Sequence, residues 1–166
     1  MYTRVVPLAP VIKATNWTRT SVAGIKVFAV TTTRRVHVEM DAQLQKTSHW
    51  QNACQIAVNG GPFQADGTPV GLVVAQGHIL RQVGSPTDVG FGSNGTHYHI
   101  GSITDAVHLQ DYVTGFDWLV RDARNVVVED KTGAHRAART AMGVTTDGQL
   151  VLAVTNGCER WYDLPD

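Results

Sequence analysis

The sequence has no excess of charge of either sign and no long apolar run. Its 14 basic and 14 acidic residues give a formal net charge of zero, so nothing indicates electrostatic capture of nucleic acid or of an acidic membrane surface. No apolar run approaches the roughly 20 residues that a membrane-spanning helix needs. The first residues lack the apolar core of a signal peptide, so for a secreted protein we expect the leader to have been removed.

Metal-ligand spacing is also missing. The chain has only two cysteines and seven scattered histidines. His97 and His99 would lie on one face of a strand, which is more typical of a solvated strand face than of a zinc site. There is no Gly-rich phosphate loop, and strands do not alternate with helices as in a parallel Rossmann sheet. The sequence therefore predicts no metal and no cofactor.

The two cysteines, Cys54 and Cys158, leave two interpretations open. They are either buried thiols that behave as small apolar side chains or one disulfide, which implies an oxidising compartment. Asn16 and Asn94 each begin a match to the N-glycosylation pattern. Because that pattern is common by chance, the two matches add only slight weight to a glycoprotein of the secretory pathway or the extracellular space.

The length fits a single domain covering residues 1–166. Short apolar or alternating segments separated by turn residues predict many strands, and one amphipathic stretch, residues 42–53, predicts a helix. We therefore expect an α+β fold with a mixed, mostly antiparallel sheet and few helices. The predicted strands are residues 24–30, 36–40, 55–58, 70–75, 78–83, 89–92, 98–100, 107–109, 116–121, 125–129, 139–144 and 149–155.

The most distinctive stretch follows the short apolar run at residues 55–58, which is typical of a buried strand. Asn59 offers a hydrogen-bond donor and acceptor at the strand end. Gly60 and Gly61 can take positive φ and leave their N–H groups accessible, and Pro62 stops the strand. The stretch is either an ordinary turn or a backbone nest that suits an anion or a sugar hydroxyl.

Several segments, taken in order, resemble one known family. Residues 59–63 (Asn-Gly-Gly-Pro-Phe) are similar to an asparagine–glycine–glycine–aromatic signature, and residues 139–143 (Arg-Thr-Ala-Met-Gly) to an arginine–threonine–alanine–isoleucine–glycine strand. The family is that of phosphodiester glycosidase (uncovering-enzyme-like) domains. The resemblance implies an enzyme, a hydrolase that cleaves a sugar phosphodiester. The matching segments are residues 52–63, 69–74, 115–122, 139–144 and 147–154.

The same resemblance implies roles for individual residues. Arg139 would hold the phosphate, since a guanidinium suits phosphate geometry; from the residues alone it is a surface arginine at a strand start. No carboxylate is an obvious general acid or base, because the aspartates lie in turns, where they often serve their own backbone. The implied catalytic residues are Asn59, Arg139 and Asn156, and the implied substrate-binding residues are Gly60, Gly61, Thr140 and Gly157.

The chain also departs from the family pattern. Pro62 stands where an aromatic residue is usual, Asn156 where aspartate is common, and Ala123 or Arg124 where a glycine would close a turn. An acidic, glycine-rich segment that forms part of the family's pocket has no counterpart before Asp166. We therefore expect a C-terminally incomplete domain whose activity requires that segment.

The expected partner is a second polypeptide, either a cleaved C-terminal chain or another copy. Residues 149–155 are apolar on both faces, which predicts a central strand. Residues 139–144 supply one neighbour, and we expect the other side to need a second chain. A non-catalytic module that binds a glycan or assembles with other proteins is the alternative function.

A disulfide between Cys54 and Cys158 is the first testable prediction. If the strands that these residues flank are neighbours, the bond would close a long loop, and the chain-entropy model gives about 4–5 kcal/mol as an upper value. Thiol titration of the native protein under denaturing, non-reducing conditions should then find no free thiol. Two titratable thiols would exclude the bond.

Overall fold

A computed structural model of the chain describes residues 2–6, 16–22, 25–33, 35–40, 56–82, 88–103, 105–127 and 139–155. Within these ranges the secondary structure consists of strands, with no helix. Among the same residues, nothing qualifies as a helix able to cross a membrane. The mostly antiparallel sheet is confirmed, whereas the α+β class is not, because the helix predicted at residues 42–53 lies outside the described ranges.

Fourteen strands lie in the described residues. They are β1 (Tyr2–Val6), β2 (Asn16–Val22), β3 (Ile25–Thr32), β4 (Arg35–Glu39), β5 (Ile56–Asn59), β6 (Val73–Ala75), β7 (His78–Arg81), β8 (Val89–Ser93), β9 (Tyr98–Gly101), β10 (Asp111–Phe116), β11 (Val120–Arg121), β12 (Arg124–Asn125), β13 (Thr140–Val144) and β14 (Leu150–Thr155).

The strands form four sheets, and the described pairings are antiparallel. A three-stranded sheet has the order β4-β1-β5, a four-stranded sheet β13-β14-β3-β2, and a five-stranded sheet β7-β6-β10-β8-β9; β11 and β12 form a separate hairpin. The two-residue connection at 33–34 carries the chain from β3 in the four-stranded sheet to β4 in the three-stranded one.

One apolar core joins the three larger sheets. Val30 of β3 and Val36 of β4 pack in the same cluster. The five-stranded sheet contributes Phe91 to this core. The other buried members come from β5 and β14, namely Ile56, Val58, Leu150 and Leu152. Because each sheet covers an apolar face of another, the core stabilises their arrangement.

The prediction that β14 is a central strand is confirmed, but the expected gap beside it is not. β13 pairs along one side of β14, with Thr140 opposite Val154. β3 pairs along the other side, with Leu150 opposite Thr32 and Thr155 opposite Val27. The inference that a second polypeptide must complete this side was therefore wrong, because β3, far away in sequence, supplies the neighbour.

The central strand of the five-stranded sheet was missed. Residues 107–109 were predicted as a strand, but they form a turn in which Leu109 N–H donates to Ala106 O at 3.0 Å. β10 begins at Asp111 instead and contains a bulge between Thr114 and Phe116. Buried polar residues and the bulge interrupt the alternation that a strand normally shows in sequence. The two strands predicted at residues 116–121 and 125–129 are shorter in the described part of the structure, where β11 and β12 contain two residues each.

Tyr112 of β10 fills the space between neighbouring strands. The side chain is fully buried, and its hydroxyl donates to Gly101 O at 2.5 Å. Burial, with a smaller effect of Asp88, raises the pKa of Tyr112 to about 12. A Cβ at Gly90 would overlap the Tyr112 ring, so glycine in β8 makes room for the ring.

Two glycines of the β13–β14 hairpin allow the effect of backbone strain on stability to be measured without steric contact. Gly148 has φ +82° and Gly143 does not have positive φ, and no described atom lies within 4 Å of a Cβ at either position. Gly148→Ala should lower the free energy of unfolding by about 1–2 kcal/mol through left-handed strain. Gly143→Ala, the matched control, should leave it unchanged or raise it by about 0.4–1 kcal/mol. Urea denaturation measures both; equal effects would contradict this assignment.

Candidate active site

The signature loop, residues 59–63, begins at the end of β5. Ile56 and Val58 point into the core and Asn59 is exposed, so the strand alternation directs the asparagine side chain outward. The backbone of Asn59 lies opposite Tyr2 of β1. The sequence correctly predicted a buried strand that opens at Asn59.

Gly61 lies directly against the backbone of β10. A Cβ at this position would overlap Thr114 O and come within 3.0 Å of Val113 Cγ2. Neither Gly60 nor Gly61 is among the described glycines with positive φ. The positive φ that glycine permits is therefore not used at either position. The structural reason for glycine at 61 is close approach of two backbones.

Thr114 is the point on which the signature loop is seated. On one side it meets Gly61; on the other, a Cβ at Gly71 would overlap Thr114 Oγ1. Thr114 N–H and Oγ1 donate to Leu72 O at 3.1 and 3.3 Å. Sequence reasoning missed this residue, because a threonine inside an unrecognised strand gives no signal of its own.

The bulge in β10 accommodates Pro62. Gly115 has φ +102°, and a Cβ there would overlap the Pro62 ring. Pro62 O accepts a hydrogen bond from Val70 N–H at 3.0 Å, which closes a hairpin across residues 63–69. The Phe63 and Val70 side chains are 46% and 48% exposed. Pro62, noted as a departure from the family pattern, therefore has its own packing partner.

Two aspartates in turns, Asp66 and Asp147, accept hydrogen bonds from residues close to them in sequence. Asp66 Oδ1 accepts from Thr68 N–H at 2.9 Å, and this contact lowers the pKa of Asp66. Hydrogen bonds from the Thr145 and Gln149 side chains likewise lower the pKa of Asp147. A general acid needs a raised rather than a lowered pKa near neutral pH, so neither carboxyl group suits that role.

Arg139 lies immediately before β13 and is half-buried. Its N–H donates to Thr155 Oγ1 at 3.1 Å, and its carbonyl accepts from Thr155 N–H at 2.9 Å. Thr140, the next residue, lies opposite Val154. The end of β14 therefore fixes the backbone from which the Arg139 side chain extends.

The strand registers indicate how Asn59 and Arg139 relate. Arg139 is bonded to Thr155, which lies opposite Val27 at the start of β3. Asn59 is level, through β1, with Glu39 at the end of β4. Asn59 therefore ends a strand of the three-stranded sheet, and Arg139 precedes the edge strand β13 of the four-stranded sheet.

Other predicted residues are placed only in part. Asn94 lies in the exposed turn between β8 and β9, and Asn16 is the first residue of β2. Glycosylation at either stays a prediction. Asn156, Gly157, Cys54 and Cys158 lie outside the described residues, so their roles also stay predictions. No group of three or more potential metal ligands occurs in the part of the chain that the structure describes.

A buried carboxylate that the sequence did not reveal links two sheets. Asp111 is 3% exposed; its Oδ1 accepts from Val38 N–H at 2.8 Å and Gln76 N–H at 3.4 Å, and its Oδ2 lies 3.7 Å from His37 Nδ1. Burial raises the pKa of Asp111 more than these partners lower it. Asp111 lies three residues, about 10 Å, along β10 from Thr114. The carboxylate therefore holds β4 to the five-stranded sheet at a distance from the signature loop.

The raised pKa of Asp111 sets the sign of a pH dependence. A carboxyl group whose pKa is higher in the folded state contributes stability that is present below its unfolded pKa and lost as pH rises through the folded pKa. The free energy of unfolding of the wild type, relative to Asp111→Asn, should therefore fall as pH rises from below the ordinary aspartate pKa through the raised pKa of folded Asp111.

Asp66→Asn is the matched control, because the pKa of Asp66 is lowered instead. There the wild type should gain stability relative to the variant as pH rises. Urea denaturation at a series of pH values measures both differences. If the two wild-type-minus-variant differences change with pH in the same direction, burial does not raise the pKa of Asp111.

Comparison with known proteins places this geometry in a family. Residues 52–163 match the phosphodiester glycosidase (NAGPA) family model. A solved structure, the zebrafish N-acetylglucosamine-1-phosphodiester alpha-N-acetylglucosaminidase catalytic domain auto-inhibited by its pro-peptide, superposes with a TM-score of 0.61 at 16% identity. The superposition covers 98% of this chain and 69% of the zebrafish chain, and it shows a shared fold. No curated protein sequence matches this chain. Since the family match spans more than half of the sequence and includes the loop seated on Thr114, the chain belongs to the phosphodiester glycosidase family.

Proposed function

We propose that this protein hydrolyses a sugar phosphodiester at a site that includes Asn59 and Arg139. The observation that carries the proposal is the seating of the Asn59–Pro62 loop on β10. The contact at Gly61 leaves no room for a side chain, so the direction in which Asn59 leaves the core is fixed by backbone packing. A rigid support of this kind suits a group that must orient a substrate.

In this proposal Arg139 holds the phosphate. A guanidinium offers a planar pair of donors that matches two phosphate oxygens. Thr155 fixes the backbone of Arg139 through two hydrogen bonds, which limits the positions that the side chain can reach. Thr140 would bind beside Arg139.

Asn59 would orient the sugar through its amide, with Gly60 and Gly61 beside it. Asn59 is exposed and Gly60 is half-buried, so both are accessible to a ligand. Gly157 would bind substrate, and Asn156 would act with Asn59 and Arg139 in catalysis; the support for these two roles is the resemblance of their sequence to the family pattern.

Three of the described carboxyl groups do not suit the role of general acid. Asp66 and Asp147 have lowered pKa values, and Asp111 lies about 10 Å along β10 from the loop. We propose that a carboxyl group of another part of this chain, or of a second polypeptide, protonates the leaving oxygen. A location in the secretory pathway or outside the cell remains part of the same proposal.

Substitution of Arg139 tests the phosphate site. Arg139→Ala should weaken binding of an organic phosphate by about ten- to a hundredfold, the value of a charge-assisted contact. Arg139→Lys should restore only part, since an ammonium lacks the planar pair of donors. Isothermal titration with the phosphate measures the affinities, and urea denaturation shows whether folding is affected.

Arg19→Ala is the control for loss of an arginine from the same four-stranded sheet. Arg19 lies in β2, with its guanidinium 5.6 Å from the centre of the Phe28 ring. Its substitution by alanine should leave the phosphate affinity unchanged. Equal affinity of the wild type and Arg139→Ala would remove Arg139 from the site. Hydrolysis of an aryl or sugar phosphodiester should accompany binding; phosphate or glycan binding without turnover, even with a C-terminal segment added, would favour a non-catalytic module.

A further inference from the structure

The turn between β8 and β9 is built around one amide side chain. It contains residues 94–97, Asn-Gly-Thr-His, and closes with a hydrogen bond from Asn94 N–H to His97 O at 3.2 Å. Asn94, Thr96 and His97 are exposed. Ser93, the last residue of β8, is buried and is fixed by a hydrogen bond from Gln110 N–H to its carbonyl at 2.8 Å.

Three donors converge on the side-chain carbonyl of Asn94. Oδ1 accepts hydrogen bonds from Thr96 N–H at 3.0 Å, Thr96 Oγ1 at 2.9 Å and His97 N–H at 2.8 Å. Donors aimed at a carbonyl oxygen withdraw electron density from its carbon and stabilise the negative charge that develops there on nucleophilic attack. The turn therefore makes Asn94 Cγ electrophilic.

The nucleophile that this arrangement suits is the next backbone nitrogen. Gly95 has no side chain to obstruct approach, and its φ is +94°, a conformation that glycine adopts without strain. Its N–H donates to Ser93 Oγ at 2.9 Å. This hydrogen bond holds the Gly95 nitrogen in a fixed position next to the Asn94 side chain.

We propose that Asn94 is a self-modification site, at which the Gly95 nitrogen attacks Asn94 Cγ and the side chain loses ammonia. The bond from Gly95 N to Cγ forms and the bond from Cγ to Nδ2 breaks. Hydroxide from solvent removes the Gly95 proton and becomes water, and Nδ2 leaves as ammonia after taking a proton from water, which regenerates hydroxide. Water then opens the succinimide ring to aspartate or isoaspartate. No oxidation state changes.

The product changes the charge of the chain. A carboxylate at position 94 adds one negative charge to a sequence whose formal net charge is zero. Isoaspartate also lengthens the backbone, which breaks the three hydrogen bonds on Oδ1. A glycan on Nδ2 would block the reaction, so glycosylation at Asn94 and self-modification exclude each other.

Asn59-Gly60 is an internal reference with the same two residues in another setting. Asn59 ends a strand and lies opposite Tyr2, so it is part of an extended strand rather than of a turn. If the turn promotes the reaction, Asn94 should convert faster than Asn59 in the folded protein. In denaturant both should convert at similar rates, because the difference depends on structure.

The test uses full-length protein made in a host without N-glycosylation. Peptide mapping by mass spectrometry follows amide-to-acid conversion and isoaspartate at both sites over time at neutral to mildly alkaline pH. Thr96→Val, which removes one donor, should slow conversion of Asn94 about fivefold, the effect of one hydrogen bond. Thr96→Ser keeps the hydroxyl and should keep the rate.

The outcomes are decisive in either direction. Faster native conversion at Asn94, loss of the difference in denaturant and the ordering of the two Thr96 variants together support the proposal. An Asn94 rate no higher than that of Asn59, or a Thr96→Val rate equal to wild type, would overturn it. Acceleration of Asn94 by denaturant would show that the turn protects the amide, and would overturn it too.

Discussion

The approach of the Gly61 backbone to the carbonyl of Thr114 is the contact on which the candidate site depends. This close approach requires a residue without a side chain at position 61, and it requires β10, which carries Thr114, to be in position. β10 in turn needs its bulge at Gly115 so that Pro62 has room. The signature loop is therefore not a free turn. It is one surface of a three-way contact among β5, β10 and the segment at Gly71.

The same dependence runs through the sheets. Ile56 and Val58 of β5, the strand that leads into the loop, share a core with Leu150 and Leu152. β14, which carries those leucines, also fixes Arg139 through Thr155. Changes in the packing of β14 would consequently reach both halves of the candidate site, since one strand contributes to the core under Asn59 and to the anchor of Arg139.

Local pattern was sufficient for much of this architecture. Alternation predicted β4, a short apolar run predicted β5, and turn residues predicted the hairpins around Gly77 and Gly148. The pattern failed at β10, where a buried aspartate, a buried threonine and a bulge glycine resemble loop composition. It also could not show that β3 pairs with β14, because such a pairing between distant segments leaves no local signal. Asp111 was missed for the same reason: its partners, Val38 and Gln76, lie far away in sequence.

The Asp111 carboxylate has a consequence for association as well as for folding. β4 is an edge strand in the sheet β4-β1-β5, and Val38 N–H is directed to Asp111 rather than to β1. An edge amide of this kind is what a strand from another molecule would need for pairing. The carboxylate occupies it with a charged group from within the same chain. Within the described residues, Asp111 therefore occupies the Val38 amide on the outer side of β4, where a strand of another chain would otherwise pair.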